Sequence, residues 1–286
     1  MSQHPSASGI AVIGGGTMGV GIAYVAAIAG YAVHVVEPDD ARAASMARTI
    51  ETTLSGAVER GKLTPDTKSE AAARLARVAA VEDVPEELAI VIESVPEQLD
   101  LKRKVLALAA ARRPRLIATN TSAMSIDVLA DSVSDPTAFL GMHFFNPVWS
   151  IKLLEIVAGS QTSPDAVAAA QSFGVAIGKE TITVRDAPGF ATSRLDFAAS
   201  LEAMRMLEDG VASAEDIDRA AVLAYRHPVG PLRLSDIVGL DVRLEVARTL
   251  EAAHGPRFTP PAILSAMVAE GRLGAKSGRG FFDWPA

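Results

Sequence analysis

Ile10-Ala11-Val12-Ile13-Gly14-Gly15-Gly16-Thr17-Met18-Gly19 decides the fold: a short apolar run feeds a glycine turn, and an alanine-rich helical stretch follows to Gly30. At this spacing Gly14 permits the tight turn, Gly16 lets backbone approach a pyrophosphate, and Gly19 lets the helix pack on the strand. The helix opening at Thr17 and Met18 presents amides and the positive end of its dipole to an anion. The next apolar run, Ala32-Val33-His34-Val35-Val36, ends in Glu37, about 20 residues on, where a carboxylate grips ribose hydroxyls. The chain therefore reads as a dinucleotide binder. The Glu37 charge favours NAD over its 2′-phosphorylated form, because like charges repel. Arg42 is the nearby cation that works against this preference.

Outward from that turn, short apolar runs at 10–13, 32–36, 88–95, 115–119, 137–145, 153–158 and 180–185 alternate with helical segments. This alternation predicts an α/β fold with a doubly wound, Rossmann-like sheet over residues 1–187. Residues 39–77 offer two successive helical stretches broken at Gly61-Lys62-Leu63-Thr64-Pro65, and they read as a helical hairpin projecting from the sheet. After Ala187-Pro188-Gly189 the pattern becomes helical. Phe190, Phe197, Leu201, Met204, Ile217, Val222, Ile237, Leu240, Leu244 and Val246 recur at helical spacings, predicting an all-α domain over 188–286. Its first helix is apolar or small on much of its surface, which suits burial between domains or in a dimer seam.

The 286-residue chain is 49% hydrophobic, enough for a packed core. No run approaches the roughly 18 apolar residues of a membrane span. Met1 to Ser8 lacks the basic and apolar regions of a signal peptide, so a cytoplasmic location is the default expectation. The absence of cysteine excludes disulfides, thiolate metal sites and a cysteine nucleophile, and no metal site is read. With 27 basic and 34 acidic residues the net charge is −7, which argues against nucleic acid as a partner. An anionic substrate then needs a local basic patch.

A second constellation is Leu140-Gly141-Met142-His143-Phe144-Phe145-Asn146-Pro147, followed by Leu153-Leu154-Glu155-Ile156-Val157. It places a histidine and a carboxylate at the ends of neighbouring apolar strands. Imidazole changes charge near neutral pH, and a carboxylate on its far nitrogen would fix the tautomer, an arrangement suited to removing a proton from an alcohol.

These motifs give the chain a resemblance to the L-3-hydroxyacyl-CoA dehydrogenases, the short bacterial 3-hydroxybutyryl-CoA type in particular, over nearly its whole length. The segments that carry it are Ile13 to Gly19, Glu93-Ser94-Val95-Pro96-Glu97 with Leu101-Lys102, Thr119-Asn120-Thr121-Ser122, the His143 stretch with Glu155, Pro188-Gly189-Phe190, and Lys276 to Phe282. The resemblance implies reversible NAD-dependent oxidation of a 3-hydroxyacyl-CoA in fatty-acid metabolism, β-oxidation included. His143 matches the general base, Glu155 the carboxylate that orients it, and Ser122 the serine facing the reacting oxygen. Glu97, Lys102, Asn146 and Lys276 match cofactor-contacting positions. Lys102-Arg103-Lys104 reads equally as a charged helix face.

The same resemblance puts the CoA tail against the helical hairpin, where Arg60, Lys62 and Thr53 are the candidates, and implies a homodimer through the C-terminal domain. One position departs: the family asparagine after Pro-Gly-Phe is Ser193 here. Its hydroxyl is expected to face the substrate and still donates and accepts. A dehydrogenase of a CoA-free hydroxy acid, of gulonate or carnitine type, is the runner-up within enzymes. A non-catalytic binding or crystallin-like structural protein is the reading from another class, opposed by the joint retention of His143, Glu155 and Ser122.

Overall fold

The computed structural model describes residues 9–285, so the opening segment Met1 to Ser8 and any leader reading of it lie outside the described residues. The chain divides at Ala187 and Pro188 into two compact units.

The first unit is built on one eight-stranded sheet of order β3-β2-β1-β4-β5-β6-β7-β8. The strands are β1 (Ile10–Ile13), β2 (Val33–Val36), β3 (Leu75–Val78), β4 (Ile90–Glu93), β5 (Ile117–Thr119), β6 (Phe139–His143), β7 (Leu153–Ala158) and β8 (Glu180–Arg185). All neighbours pair parallel except β6 and β7. The central strands are buried on both faces, as parallel strands covered by helices must be. Ile10, Val12, Ile90 and Ile92 join one core cluster, and the intervening Ala11, Ile13 and Val91 join the other. That is the period-two alternation of a strand applied to two apolar faces.

Helices α1 (Thr17–Ile28), α2 (Asp40–Glu59), α3 (Pro65–Ala73), α4 (Leu99–Ala111), α5 (Ile126–Ala130) and α6 (Pro164–Ala176) complete the unit. The hairpin of α2 and α3 packs on α1: Met46, Ile50, Leu54 and Ala71 share a core with Val20, Ile22 and Tyr24. One expectation needs correction, since the last residues of the 39–77 stretch are not helical: α3 ends at Ala73 and Leu75–Val78 pairs with β2 as an outer strand. Four residues at a half-exposed edge carry too little apolar alternation to announce a strand.

The second unit is helical: α7 (Thr192–Glu208), α8 (Ala214–Tyr225), α9 (Pro231–Val238), α10 (Leu240–His254) and α11 (Ala262–Ala269). Phe197, Leu201, Met204, Ile217, Leu240 and Leu244 form its core. Ile237 does not join them, being 53% exposed. The inward position beside it belongs to Asp236, whose carboxylate accepts from the Phe281 and Phe282 amides at 3.0 and 2.9 Å and from Trp284 Nε1 at 2.9 Å. A buried charge must be satisfied in this way, and here it ties the C-terminal segment to α9. No described helix in either unit is long and apolar enough to cross a membrane.

Candidate active site

The strand order 3-2-1-4 reverses direction between β1 and β4, and ligands of such sheets bind beyond the carboxyl ends of the strands at that reversal. Gly14 stands there at φ +115°, and a Cβ on it would lie 2.6 Å from the Ser94 carbonyl oxygen. Gly19 is more restricted still: its Cβ would fall 1.9 Å from the Gly14 carbonyl oxygen. A Cβ on Gly16 would meet no protein atom within 4 Å, leaving open space above the turn.

The residues fit a dinucleotide. Helix α1 starts without a side-chain cap or a first-turn acid, so its leading amides remain donors for a phosphate. A cleft of about 280 Å³ opens over them, lined by Gly15, Gly16, Thr17, Arg42, Met46 and Trp149 among others. Glu37 lies beside the glycine turn: the carboxylate is buried and accepts from Asp39 N at 3.0 Å, Arg42 Nε at 3.0 Å and Gly15 N at 3.3 Å. Met18 follows in the first turn of α1, half-buried and packed on the core beneath.

Beside this turn lies a buried ionic network that the sequence did not announce. Lys102, on α4, is 1% exposed and donates to both oxygens of Glu93 at 2.8 and 3.0 Å, with Glu97 Oε2 at 3.1 Å. Glu93 is wholly buried at the end of β4 and also accepts from Thr119 Oγ1 at 2.6 Å and Val95 N at 2.7 Å. Glu97 in turn accepts from the Thr121 hydroxyl and from Ser122 N, the latter at 3.1 Å. Lys102 is therefore no part of a charged surface; it lies behind Glu97, which holds the Ser122 loop. Ser122 is exposed at the sheet's carboxyl edge, and Ser125, three residues on, caps α5 while donating to Asp186 at 2.6 Å.

His143 ends β6, directly opposite Glu155 in the antiparallel register with β7. His143 Nδ1 and Glu155 Oε2 are 2.9 Å apart, with His143 7% exposed and Glu155 fully buried. An ionised carboxylate only accepts, so against one Nδ1 is the donor of this pair. The next residue, Phe144, donates its amide to Asn120 Oδ1 at 2.9 Å, tying the histidine strand to β5. Asn146 is exposed just beyond. The loop that follows is clamped from below by Lys179, which donates to the carbonyls of Val148 and Ile151, the latter at 2.6 Å. Burial pushes the Lys179 ammonium below its ordinary value.

The hairpin candidates divide. Thr53 is half-buried, donates to Thr49 O at 2.7 Å, and lines a groove with Ser45, Arg48, Thr49 and Thr52. Arg60 and Lys62 are exposed beyond it; Arg60 folds back so that Nη1 lies 3.0 Å from where a Cβ on Gly56 would stand. The groove's cation is thus Arg48, which sequence reasoning missed, although the spacing of Ser45, Arg48, Thr49 and Thr52 marks one helix face.

In the helical unit, Ser193 occupies the first turn of α7 and is half-buried. Ser200, about two turns further along α7, is wholly buried. Lys276 pairs with Asp241 at 2.6 Å, and this hydrogen bond holds the Asp241 carboxyl below its usual range.

Comparison with known proteins accounts for both units. The profile of the 3-hydroxyacyl-CoA dehydrogenase NAD binding domain matches residues 9–187, and that of the 3-hydroxyacyl-CoA dehydrogenase C-terminal domain matches residues 189–284. A 3-hydroxybutyryl-CoA dehydrogenase of Mycobacterium tuberculosis is 37% identical over 280 residues, 96% of this chain and 98% of that one. The 3-hydroxyadipyl-CoA dehydrogenase of Escherichia coli is 37% identical over 284 residues, 97% of this chain and 59% of that one. The crystal structure of the (S)-3-hydroxybutyryl-CoA dehydrogenase of Ralstonia eutropha superposes with a TM-score of 0.93 at 37% identity, covering 98% of this chain and 99% of that one. The chain belongs to the NAD-dependent 3-hydroxyacyl-CoA dehydrogenase family.

Proposed function

We propose that this enzyme interconverts a (3S)-3-hydroxyacyl-CoA and its 3-oxoacyl-CoA, with His143 as the general base and Glu155 as its orienting partner. The observation that carries this reading is the buried 2.9 Å contact between His143 Nδ1 and Glu155 Oε2, in the same unit as the glycine turn. With Nδ1–H held by the carboxylate, Nε2 takes the C3 hydroxyl proton, and Glu155 stabilises the imidazolium that results. NAD, when bound, supplies the hydride acceptor. Ser122, fixed through its amide by Glu97, hydrogen-bonds the reacting oxygen. Glu97 and Asn146 contact the cofactor, while Lys102 acts through Glu97.

A CoA thioester is favoured over a free hydroxy acid because the α2 groove offers Arg48 and a row of hydroxyls for an anionic, hydroxyl-rich tail. Arg60 and Lys62 extend that positive end, and Ser193 contributes to substrate contact. The helical unit also exposes Leu195, Val211, Leu223 and Tyr225, each over 60% accessible. We read these exposed apolar side chains as part of a homodimer seam. Purified protein should consume NADH with acetoacetyl-CoA as substrate. Turnover of NAD with free hydroxy acids and none with acyl-CoA would overturn the assignment.

A further inference from the structure

Two arginines converge on Glu37 at the end of β2. Arg42, in the first turn of α2, donates through Nε to Glu37 Oε1 at 3.0 Å. Arg77, from β3, donates through Nε to the Glu37 carbonyl at 2.9 Å and through Nη2 to the Pro38 carbonyl at 3.3 Å. The Glu37 side chain is 6% exposed, whereas that of Arg42 is 67% exposed and lines the cleft above the glycine turn together with Ser45 and Thr17. The other carboxylates nearby are committed elsewhere: Asp39 caps α2 by accepting from Arg42 N at 2.8 Å, and Asp40, 90% exposed, pairs with Arg77 at 2.8 Å.

A dinucleotide-binding carboxylate at a strand end receives the ribose hydroxyls, and an arginine at the same place receives a 2′-phosphate. This chain holds both, the carboxylate inward and the guanidinium outward. We propose that Arg42, backed by Arg77, forms a latent 2′-phosphate site that Glu37 plugs, so that the Glu37 charge alone sets the preference for NAD over NADP. The inference rests on the reading of this cleft as the NAD site. When Glu37 loses its charge, Arg42 loses the carboxylate that its side chain hydrogen-bonds and becomes a charge-assisted donor to a phosphate, the stronger kind of hydrogen bond. Ser45, one turn further along α2, adds a hydroxyl on the same wall.

The test is a pair of binding titrations followed by cofactor fluorescence, with NADH and NADPH, which differ only in the 2′-phosphate. Wild type is expected to bind NADH more tightly. Glu37→Gln should bind NADPH more tightly than wild type does by about tenfold or more, a gain that shrinks with added salt. Glu37→Gln with Arg42→Met should lose that gain, its NADH affinity falling no further than that of Glu37→Gln alone. Glu37→Ser serves as a second variant should the glutamine fail to fold, and thermal melting reports folding for each protein. NADH binding throughout with no NADPH gain in either Glu37 variant overturns the inference alone, as does a gain that survives Arg42→Met. Failure of every folded protein to bind NADH overturns the dinucleotide reading itself, and the inference with it.

Discussion

His143 and Glu155 stand directly opposite one another where β6 meets β7, the one antiparallel step in the sheet, with Nδ1 and Oε2 2.9 Å apart. Directly opposed residues of an antiparallel pair project to the same face. Because β7 runs against β6, a residue early in β7 meets the residue that ends β6, and both lie at the carboxyl edge where the glycine turn sits. A slip of one residue would send one of the two to the opposite face. The pairing of β6 with β7 thus also brings the imidazole and the carboxylate together.

The Glu93–Lys102 pair is expected to be structural first. Lys102→Met leaves Glu93 buried without its cation, which costs on the order of 3–5 kcal/mol. Chemical denaturation should show a loss of that size, and Glu93→Gln combined with Lys102→Met should lose clearly less than the two single losses together. Near-additive losses would mean that the two side chains do not depend on one another.

The sequence made the glycine turn, Glu37 and the alternation of the central strands legible, because each depends on short-range spacing. What it hid depends on pairing across the fold. Glu93 closes an apolar run as any solvent-facing acid would, and Lys102 sits in a run with Arg103 and Lys104; only the meeting of β4 with α4 turns them inward. Ile237 fits the helical period, yet the buried Asp236 takes the inward place. Arg48 escaped notice because an isolated arginine on a helix is ordinary until the hydroxyls around it are seen to form one groove wall.

Asp236 should behave as the anchor of the C-terminal segment. Asp236→Ala leaves two backbone amides and an indole N–H without their acceptor, at a cost of about 3 kcal/mol. Thermal melting should fall accordingly, and Trp284 emission should shift red as its ring loses its partner. An unchanged emission spectrum would contradict the anchoring role.

For CoA recognition, Arg48→Ala and Arg60→Ala should each raise KM for acyl-CoA and spare kcat, with Arg48 the larger effect because it lines the groove. An exposed ion pair is worth under about 1 kcal/mol, so a few-fold change that shrinks in high salt is expected. Steady-state kinetics at low ionic strength decides this, and an unchanged KM in both variants would place the CoA tail elsewhere.

Ser193 tests the position that departs from the family. A neutral hydrogen bond to substrate is worth on the order of 1 kcal/mol, so Ser193→Ala should lower kcat/KM several-fold while Ser193→Asn retains activity. Equal kinetics for Ser193→Ala and wild type, at unchanged melting temperature, would reduce this serine to a space-filling role.

The central claim is that His143 and Glu155 work as one unit, and a double-mutant cycle on kcat measures it. His143→Ala and Glu155→Gln should each lower kcat by about 10²- to 10⁴-fold with NADH affinity close to wild type. The double variant should lose far less than the product of the two single losses, because the carboxylate has nothing to orient once the imidazole is gone. Near-wild-type turnover by His143→Ala, or losses that multiply in the double variant, would contradict the account.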